Sequence, residues 1–175
     1  DIRAQKNYTV TMYYSIRGKV VYYREGQLVV ECGGVAYDIH VSNYTLSKLG
    51  KQGEEATVYT YLQVQQDAVR LFGFYSKEEK AMFEKLITIS GGGPKVAMQI
   101  LSGVDLSTLA ISIVGGDVRA LAKIKGIGKK TAERIILELR EKIETDVDGA
   151  QEWMRVGSEA PGTDGVSQDV VMALA

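Results

Sequence analysis

The residues best suited to bind a ligand lie between positions 123 and 133, where the sequence reads KIKGIGKKTAE. Gly126 and Gly128 bracket one apolar residue, with helix-type sequence on both sides. Because glycine permits the positive φ of a tight turn, we expect two helices joined by a turn of about four residues. The second helix then presents N–H groups that have no intrahelical partner. Lys129 and Lys130 add positive charge there, so the stretch predicts a phosphate-binding site.

The same pattern occurs 35 residues upstream, which makes it an internal repeat. Pro94 falls at the first position of the second helix in that copy, where its missing N–H costs nothing. The matched pairs are Gly91 with Gly126, Gly93 with Gly128, and Lys95 with Lys130. Two such turns place two phosphate sites in a fixed relation, which suits the backbone of a nucleic acid. Amides and lysines carry no base information, so we expect recognition by shape.

Charge is distributed along the chain in a way that agrees with a polyanion partner. The net charge is only −1, but residues 119–142 hold 8 basic and 3 acidic side chains, whereas residues 145–175 hold 1 basic and 6 acidic ones. This pattern indicates a basic surface joined to an acidic segment. The predicted DNA contacts are Gly91, Gly93, Lys95, Lys123, Gly126, Gly128, Lys129, Lys130, Thr131 and Arg134.

Other chemistry that glycine-rich turns can serve fits this sequence poorly. The dinucleotide fingerprint needs a preceding strand and a third glycine, and the Walker A motif needs G-x-x-x-x-G-K-[ST], which the chain does not match. Cys32 is the only cysteine and His40 the only histidine. One cysteine fits a reducing compartment. We therefore expect no metal site and no cofactor, and we interpret His40 as structural.

The pattern of apolar residues predicts an α+β fold. Residues 12–74 contain five short β-type runs, with a segment at 45–50 that could be a helical turn; the runs are 13–23, 27–32, 35–41, 56–64 and 69–74. This favours a small Greek-key barrel of the OB type, with an SH3-like barrel as the alternative. Helical periodicity follows, with N-caps expected at Ser76, at Asp105 or Ser107, and at Asp117. The predicted helices are 77–89, 94–102, 106–114, 118–124 and 129–144.

These elements divide the chain into five parts. Met12 followed by alternating residues looks like a natural start, so we expect residues 1–11 to be a vector-derived extension. An OB-type barrel at 12–75 and a tandem helix-hairpin-helix unit at 76–144 follow. Residues 145–165, which include Trp153, are typical of a flexible acidic linker. Residues 166–175 resemble the first helix of a further, C-terminal domain.

Five segments resemble the RuvA family, the Holliday-junction-binding subunits of the bacterial branch-migration machine. They are YSIRG at 14–18, GGVAY at 33–37, LFGF at 71–74, GGGPK at 91–95 and GIGKKTAER at 126–134. The resemblance covers residues 12–144 and includes both glycine turns.

The resemblance implies much that the residues alone do not. It implies an OB fold, a homotetramer or octamer, and a four-fold plate that holds a four-way junction open and planar. Paired hairpins would grip the minor-groove backbone of the arms. A hexameric ATPase, RuvB, would dock on a mobile C-terminal domain, and the resolvase RuvC could join. ATP hydrolysis would belong to that partner, so the chain would be a non-catalytic, cytoplasmic subunit in recombination and repair.

The family also places acidic residues on a hairpin at the centre of the plate, where they repel phosphates. The matching turn here contains Gln66 and Asp67, and Gln66 stands where a second acid is usual. A tetramer would then present four carboxylates rather than eight, so we expect weaker repulsion. Gly92 replaces the usual apolar residue of the first turn. This removes an anchor, although backbone amides alone could still form the phosphate site.

Two rival functions remain at this level. DNA glycosylases carry a similar glycine hairpin followed by a catalytic aspartate, but here helical sequence runs unbroken to Glu144 and Asp146 falls in the linker. A general DNA-binding or scaffold module would bind linear duplex as well as branched DNA. The N-terminal barrel argues against that second rival.

Overall fold

A computed structural model describes residues 12–49 and 51–145, with the side chains of residues 143–145 left aside. The extension predicted for residues 1–11 and the helix predicted for 166–175 lie outside the described residues. So does the predicted linker, apart from Thr145, which closes the last helix.

Five strands close into the predicted barrel. Their order around the barrel is β1-β2-β3-β5-β4. The strands are β1 (Ser15–Arg24), β2 (Gln27–Cys32), β3 (Val35–Val41), β4 (Glu55–Val64) and β5 (Val69–Phe74). A short helix, α1 (Asn43–Lys48), separates β3 from β4. All neighbouring strands are antiparallel except β3 and β5. The OB-like barrel is confirmed.

The barrel closes through a short parallel contact in which His40 pairs with Phe72 and Val41 with Gly73. Gly73 is needed at this seam for steric reasons. A Cβ atom there would lie 2.5 Å from the side chains of both Ile39 and Val58. The missing side chain therefore lets the barrel interior pack closely at its closing strand pair.

Five further helices form the predicted helical unit. They are α2 (Lys77–Ile87), α3 (Pro94–Gly103), α4 (Leu106–Gly115), α5 (Val118–Ala122) and α6 (Lys129–Thr145). Three begin with the expected side-chain caps: Ser76, Asp105 and Asp117 accept backbone N–H groups in the first turn. Of the two candidates for α4, Asp105 rather than Ser107 is the cap.

The barrel and the helices share apolar packing. Phe72 and Phe74 of β5 point into the helical core, where their rings lie 5.1 and 4.8 Å from that of Phe83 on α2. Both belong to the apolar cluster of the helices, whereas a separate cluster fills the barrel interior. The last strand is therefore part of both cores.

A buried carboxylate also joins the two parts. Glu79 on α2 is fully buried and accepts hydrogen bonds from the hydroxyls of Ser42 and Thr45, both at 2.5 Å, and from the Tyr75 N–H at 3.0 Å. Burial raises the pKa of the Glu79 carboxyl, and the three hydrogen bonds offset part of that rise. These contacts fix α2 against α1 and the end of β5.

Two general tests give limited results. No single helix among the described residues is long and apolar enough to cross a membrane, although α3 and α4, bent by 106°, pass together on length and composition. Within the same residues no cluster of three or more His, Cys, Asp or Glu side chains could hold a metal ion.

Candidate nucleic-acid interface

The second glycine turn, residues 123–128, joins α5 to α6 as a compact hydrogen-bonded unit. The Ile124 N–H donates to Leu121 and the Ile127 N–H donates to Ile124. Gly126 has a φ of +88°, which L side chains rarely adopt. The Gly128 carbonyl accepts the Ala132 N–H and so begins α6.

The first turn, residues 88–93, repeats three backbone hydrogen bonds of this frame. Each equivalent donor and acceptor lies 35 residues earlier: Ile89 to Leu86, Gly92 to Ile89, and Ala97 to Gly93. Corresponding distances differ by at most 0.2 Å, and Gly91, with a φ of +76°, occupies the place of Gly126. The sequence repeat is therefore a structural repeat.

The helices that leave the two turns lack the side-chain caps that four other helices possess. Ser42, Ser76, Asp105 and Asp117 cap α1, α2, α4 and α5. In contrast, Gly93 directly precedes α3 and Gly128 directly precedes α6, and neither glycine has a capping side chain. A Cβ atom at either glycine would meet no described heavy atom within 4 Å. Open space thus lies beside two helix N-termini whose N–H groups can donate hydrogen bonds to an anion.

The predicted lysines surround these openings. Lys95 lies in the first turn of α3, Lys123 at the end of α5, and Lys129 and Lys130 at the start of α6; all four are exposed. Lys129 Nζ lies 3.8 Å from a carboxylate oxygen of Glu133, and the Lys129 side chain is 80% exposed. Such a loose surface pair contributes little to stability and leaves the ammonium able to meet a phosphate. Thr131, in the first turn of α6, is half-buried.

The two turns differ in how they are anchored. Ile127 of the second turn is 4% exposed and packs in the helical core. Its counterpart Gly92 has no side chain, and a Cβ atom there would lie 3.0 Å from the Leu86 carbonyl oxygen. The first turn therefore lacks the apolar anchor, and its backbone has closed over the space that the anchor would need.

Polar groups of α6 contact the first turn instead. Arg134 Nη1 donates to the Ser90 carbonyl at 3.2 Å, and the Ser90 N–H donates to Glu138 Oε2 at 3.1 Å. Lys142 Nζ donates to the Thr88 hydroxyl. Arg134, which the sequence placed among the DNA contacts, is thus engaged with the other hairpin.

Contacts between the hairpins are reciprocal. A Cβ atom at Gly91 would lie 3.0 Å from Arg134 Nη1, and one at Gly126 would lie 2.7 Å from Gln99 Nε2. Gln99 and Arg134 are themselves 35 residues apart, at the same position of the two repeats. Each hairpin therefore places one long polar side chain against the positive-φ glycine of the other, as expected for a pair related by an approximate two-fold axis.

The predicted acidic turn projects from the barrel between β4 and β5. The Gln65 N–H donates to the Ala68 carbonyl at 2.8 Å and closes the turn, while Gln66 and Asp67 are exposed at its tip. Arg70 Nη1 donates to the Gln65 side chain at 3.1 Å. One carboxylate and one guanidinium thus lie close together on this hairpin.

A cleft of about 630 Å³ lies between the barrel and the first hairpin. Its walls include Gln65 and Arg70 from the β4–β5 hairpin and Gly93 and Lys95 from the start of α3. The cleft therefore runs from the acidic turn to the first phosphate site. Sequence reasoning missed Arg70, because a single basic residue in an alternating strand gives no signal before the two parts are brought together.

The fold and the site define a class: an OB-like barrel followed by a paired helix-hairpin-helix unit with two exposed glycine turns. Comparison with known proteins agrees. Residues 12–73 match the model of the RuvA N-terminal domain, and residues 83–141 match the model described as a SAM-like helix-hairpin-helix tandem.

Three relatives are each named Holliday junction branch migration complex subunit RuvA. The protein of Acetivibrio thermocellus is 45% identical over 135 residues, covering 77% of this chain and 67% of that protein. Those of Acidobacterium capsulatum and Chromobacterium violaceum are 39% and 40% identical over 159 residues, covering 91% of this chain and 78% and 79% of theirs. The chain belongs to the RuvA family. It spans about two thirds to four fifths of the length of these relatives.

Proposed function

We propose that this protein binds four-way (Holliday) junction DNA by its sugar-phosphate backbone and holds the junction open and planar for branch migration. The observation that carries this proposal is the pair of glycine turns, which share three backbone hydrogen bonds and are open at the N-termini of α3 and α6. Backbone amides and flexible lysines recognise where phosphates lie, not which bases they join.

The cleft supports a path for one strand. A strand whose phosphates bind at Gly93 and Lys95 can continue past Arg70 to the turn that carries Asp67. Arg70 attracts the backbone there, whereas the Asp67 carboxylate repels it. Attraction along the wall and repulsion at the tip would direct strands away from the crossover and into the arms.

The chain's partners follow from the family and not from its own residues. We propose that it acts as a non-catalytic subunit, assembled as a homotetramer or an octamer. A C-terminal domain would load the hexameric ATPase RuvB, and the resolvase RuvC could join the complex. ATP hydrolysis is assigned to RuvB, and the process served is recombination and DNA repair.

The test is a gel-shift titration of a four-way junction against linear duplex of equal length at moderate salt. We expect far tighter binding of the junction, and equal affinities would overturn the proposal. Incubation with abasic or damaged duplex should leave the strands intact, whereas scission would favour the glycosylase rival.

A lysine variant tests the phosphate sites directly. If Lys129 and Lys130 each neutralise one phosphate, replacing both by Ala lowers the salt slope of log K by about 1.8 and weakens binding about 30-fold near 0.15 M salt for each subunit that contacts the DNA. The matched control replaces Lys19 and Lys51, exposed lysines near the end of β4 remote from the acidic turn. An unchanged slope in the Lys129/Lys130 variant would show that α6 does not meet phosphate.

A further inference from the structure

We infer that Arg134 is a positioning residue: it holds the first phosphate site in register with the second, through the Ser90 carbonyl, and does not itself bind phosphate. This inference rests on the proposed function, since it concerns how the same two hairpins bind as one unit. It separates Arg134 from the lysines with which it shares the basic end of α6.

The first argument is the way in which α6 engages Ser90. Both backbone polar groups of Ser90 are used, the carbonyl by Arg134 at 3.2 Å and the N–H by Glu138 at 3.1 Å. Arg134, Glu138 and Lys142 follow one another at intervals of four residues, so they lie along one face of the helix. Lys142 extends the same row of contacts to Thr88. Three successive turns of α6 thus hold the loop 88–90.

The second argument is that the first turn needs such support. Ile127 anchors the second turn in the core, but Gly92 leaves the first turn without an equivalent. Ile89, in the same loop, is 3% exposed and packs in the helical core. The polar contacts from α6 hold the exposed residues on either side of it, Thr88 and Ser90. They therefore support loop 88–90 in a turn that has no counterpart of Ile127.

The third argument is symmetry. At the equivalent position of the other repeat stands Gln99, whose side-chain amide lies against Gly126 as Arg134 lies against Gly91. Gln99 is neutral, so the shared role of the two positions cannot be charge. Arg134 reaches the opposite turn through a hydrogen bond to the Ser90 carbonyl, and the neutral Gln99 amide lies close to Gly126. A side chain at this position of either repeat therefore lies against the other glycine turn, whether or not it carries a charge.

The decisive variant is therefore Arg134→Gln, which places in the second repeat the residue that stands at the same position of the first. A positioning role predicts junction affinity within about twofold of the wild type and an unchanged salt slope, because no phosphate contact is lost. A phosphate contact predicts instead a slope lower by about 0.9 and binding about fivefold weaker near 0.15 M salt for each subunit that contacts the DNA. That second result would overturn the inference.

Arg134→Ala provides the opposite case, because it removes the N–H donor together with the charge. We expect junction binding at least fivefold weaker than that of Arg134→Gln, with thermal unfolding measured alongside to confirm that both variants fold. Equal binding by the two variants would contradict the inference. Arg24→Gln, at an exposed arginine whose guanidinium donates to Gln27 on the barrel, is the matched control for loss of one positive charge.

A measurement without DNA separates this inference from the proposed function. Hydrogen exchange of the backbone amides of residues 88–92 should accelerate in Arg134→Ala and stay near wild-type rates in Arg134→Gln. Unchanged exchange in Arg134→Ala would overturn the positioning role even if the protein bound junctions well. If wild-type protein showed no preference for junctions, this exchange experiment would still decide what Arg134 holds in place.

Discussion

Replacing Glu79 should reveal how strongly the barrel and the helical unit are held together. The carboxylate is fully buried and satisfies three donors: the hydroxyls of Ser42 and Thr45 and the N–H of Tyr75. Glu79→Ala leaves these donors without their acceptor. An unsatisfied buried donor costs about 1–3 kcal/mol, and Thr45 still accepts from the Tyr75 N–H. We therefore expect a loss of about 3 kcal/mol, or about 10 °C in Tm.

Glu79→Gln tests the effect of the carboxyl charge alone, because it replaces the ionisable carboxyl with a neutral amide. Its amide oxygen can accept from Thr45 and Tyr75 while its NH₂ group donates to the Ser42 hydroxyl, so most hydrogen bonds survive. Since burial raises the pKa of the Glu79 carboxyl, the unfolded chain loses this proton at lower pH than the folded protein. The free energy of unfolding of the wild type must therefore fall as pH rises above the pKa of the Glu79 carboxyl in the unfolded chain. It stops falling once this carboxyl has also ionised in the folded protein. Glu79→Gln has no ionisable group at this position, so its free energy of unfolding does not show this decrease.

The assay is urea unfolding of the wild type and both variants from pH 4 to pH 8. The free energy of unfolding of Glu79→Gln, relative to the wild type, should increase with pH and then level off. The other carboxylates titrate alike in both proteins, so they cancel in this difference. A difference that stays constant or falls with pH, or an Ala variant as stable as the wild type, would refute the reasoning.

Two further predictions concern the DNA contacts. Gly126→Ala and Gly34→Ala both force an L residue to a φ near +90°, at a cost of about 1–2 kcal/mol each. Only the first crowds Gln99, so only the first should weaken junction binding in a gel shift, and equal loss in both would contradict this. Asp67→Asn removes the repulsion between the Asp67 carboxylate and a phosphate, which is about 0.5 kcal/mol per subunit for two charges about 8 Å apart in water. Summed over the four subunits of a tetramer, this change should tighten junction binding up to about 30-fold at low salt. Asp67→Glu is the charge-preserving control, and weaker binding by Asp67→Asn would count against repulsion at the turn.

Local features were predictable from the sequence because they depend on neighbouring residues. The glycine spacing, the caps at Ser76 and Asp117 and the alternation along the strands all act within one turn or one strand. The 35-residue offset then led to the prediction of two phosphate sites, and the structure confirms the repeat of the turns. By contrast, an OB barrel and an SH3-like barrel differ in which distant strands meet, so the pattern alone left both open.

Contacts across the repeat were beyond prediction for the same reason. Arg134 reads as part of a basic run with Lys129 and Lys130, yet its guanidinium meets Ser90, 44 residues earlier in the chain. In the sequence, Ser76 followed by Glu79 three residues later is typical of a capping box. The Glu79 N–H does donate to the Ser76 hydroxyl, but the carboxylate turns away to the Tyr75 N–H and to α1. A side chain with several possible partners is assigned by the tertiary structure.

Closure of the barrel limits how copies of this chain can meet. Strands at a sheet edge can recruit further strands through their free N–H and C=O groups, and such growth has no natural end. Here β3 and β5 pair with each other, so the ring of five strands is complete in each chain. Copies that associate through the barrel must therefore do so through side chains. The number of subunits would then be fixed by the shape of those surfaces, and a single surface substitution could change it.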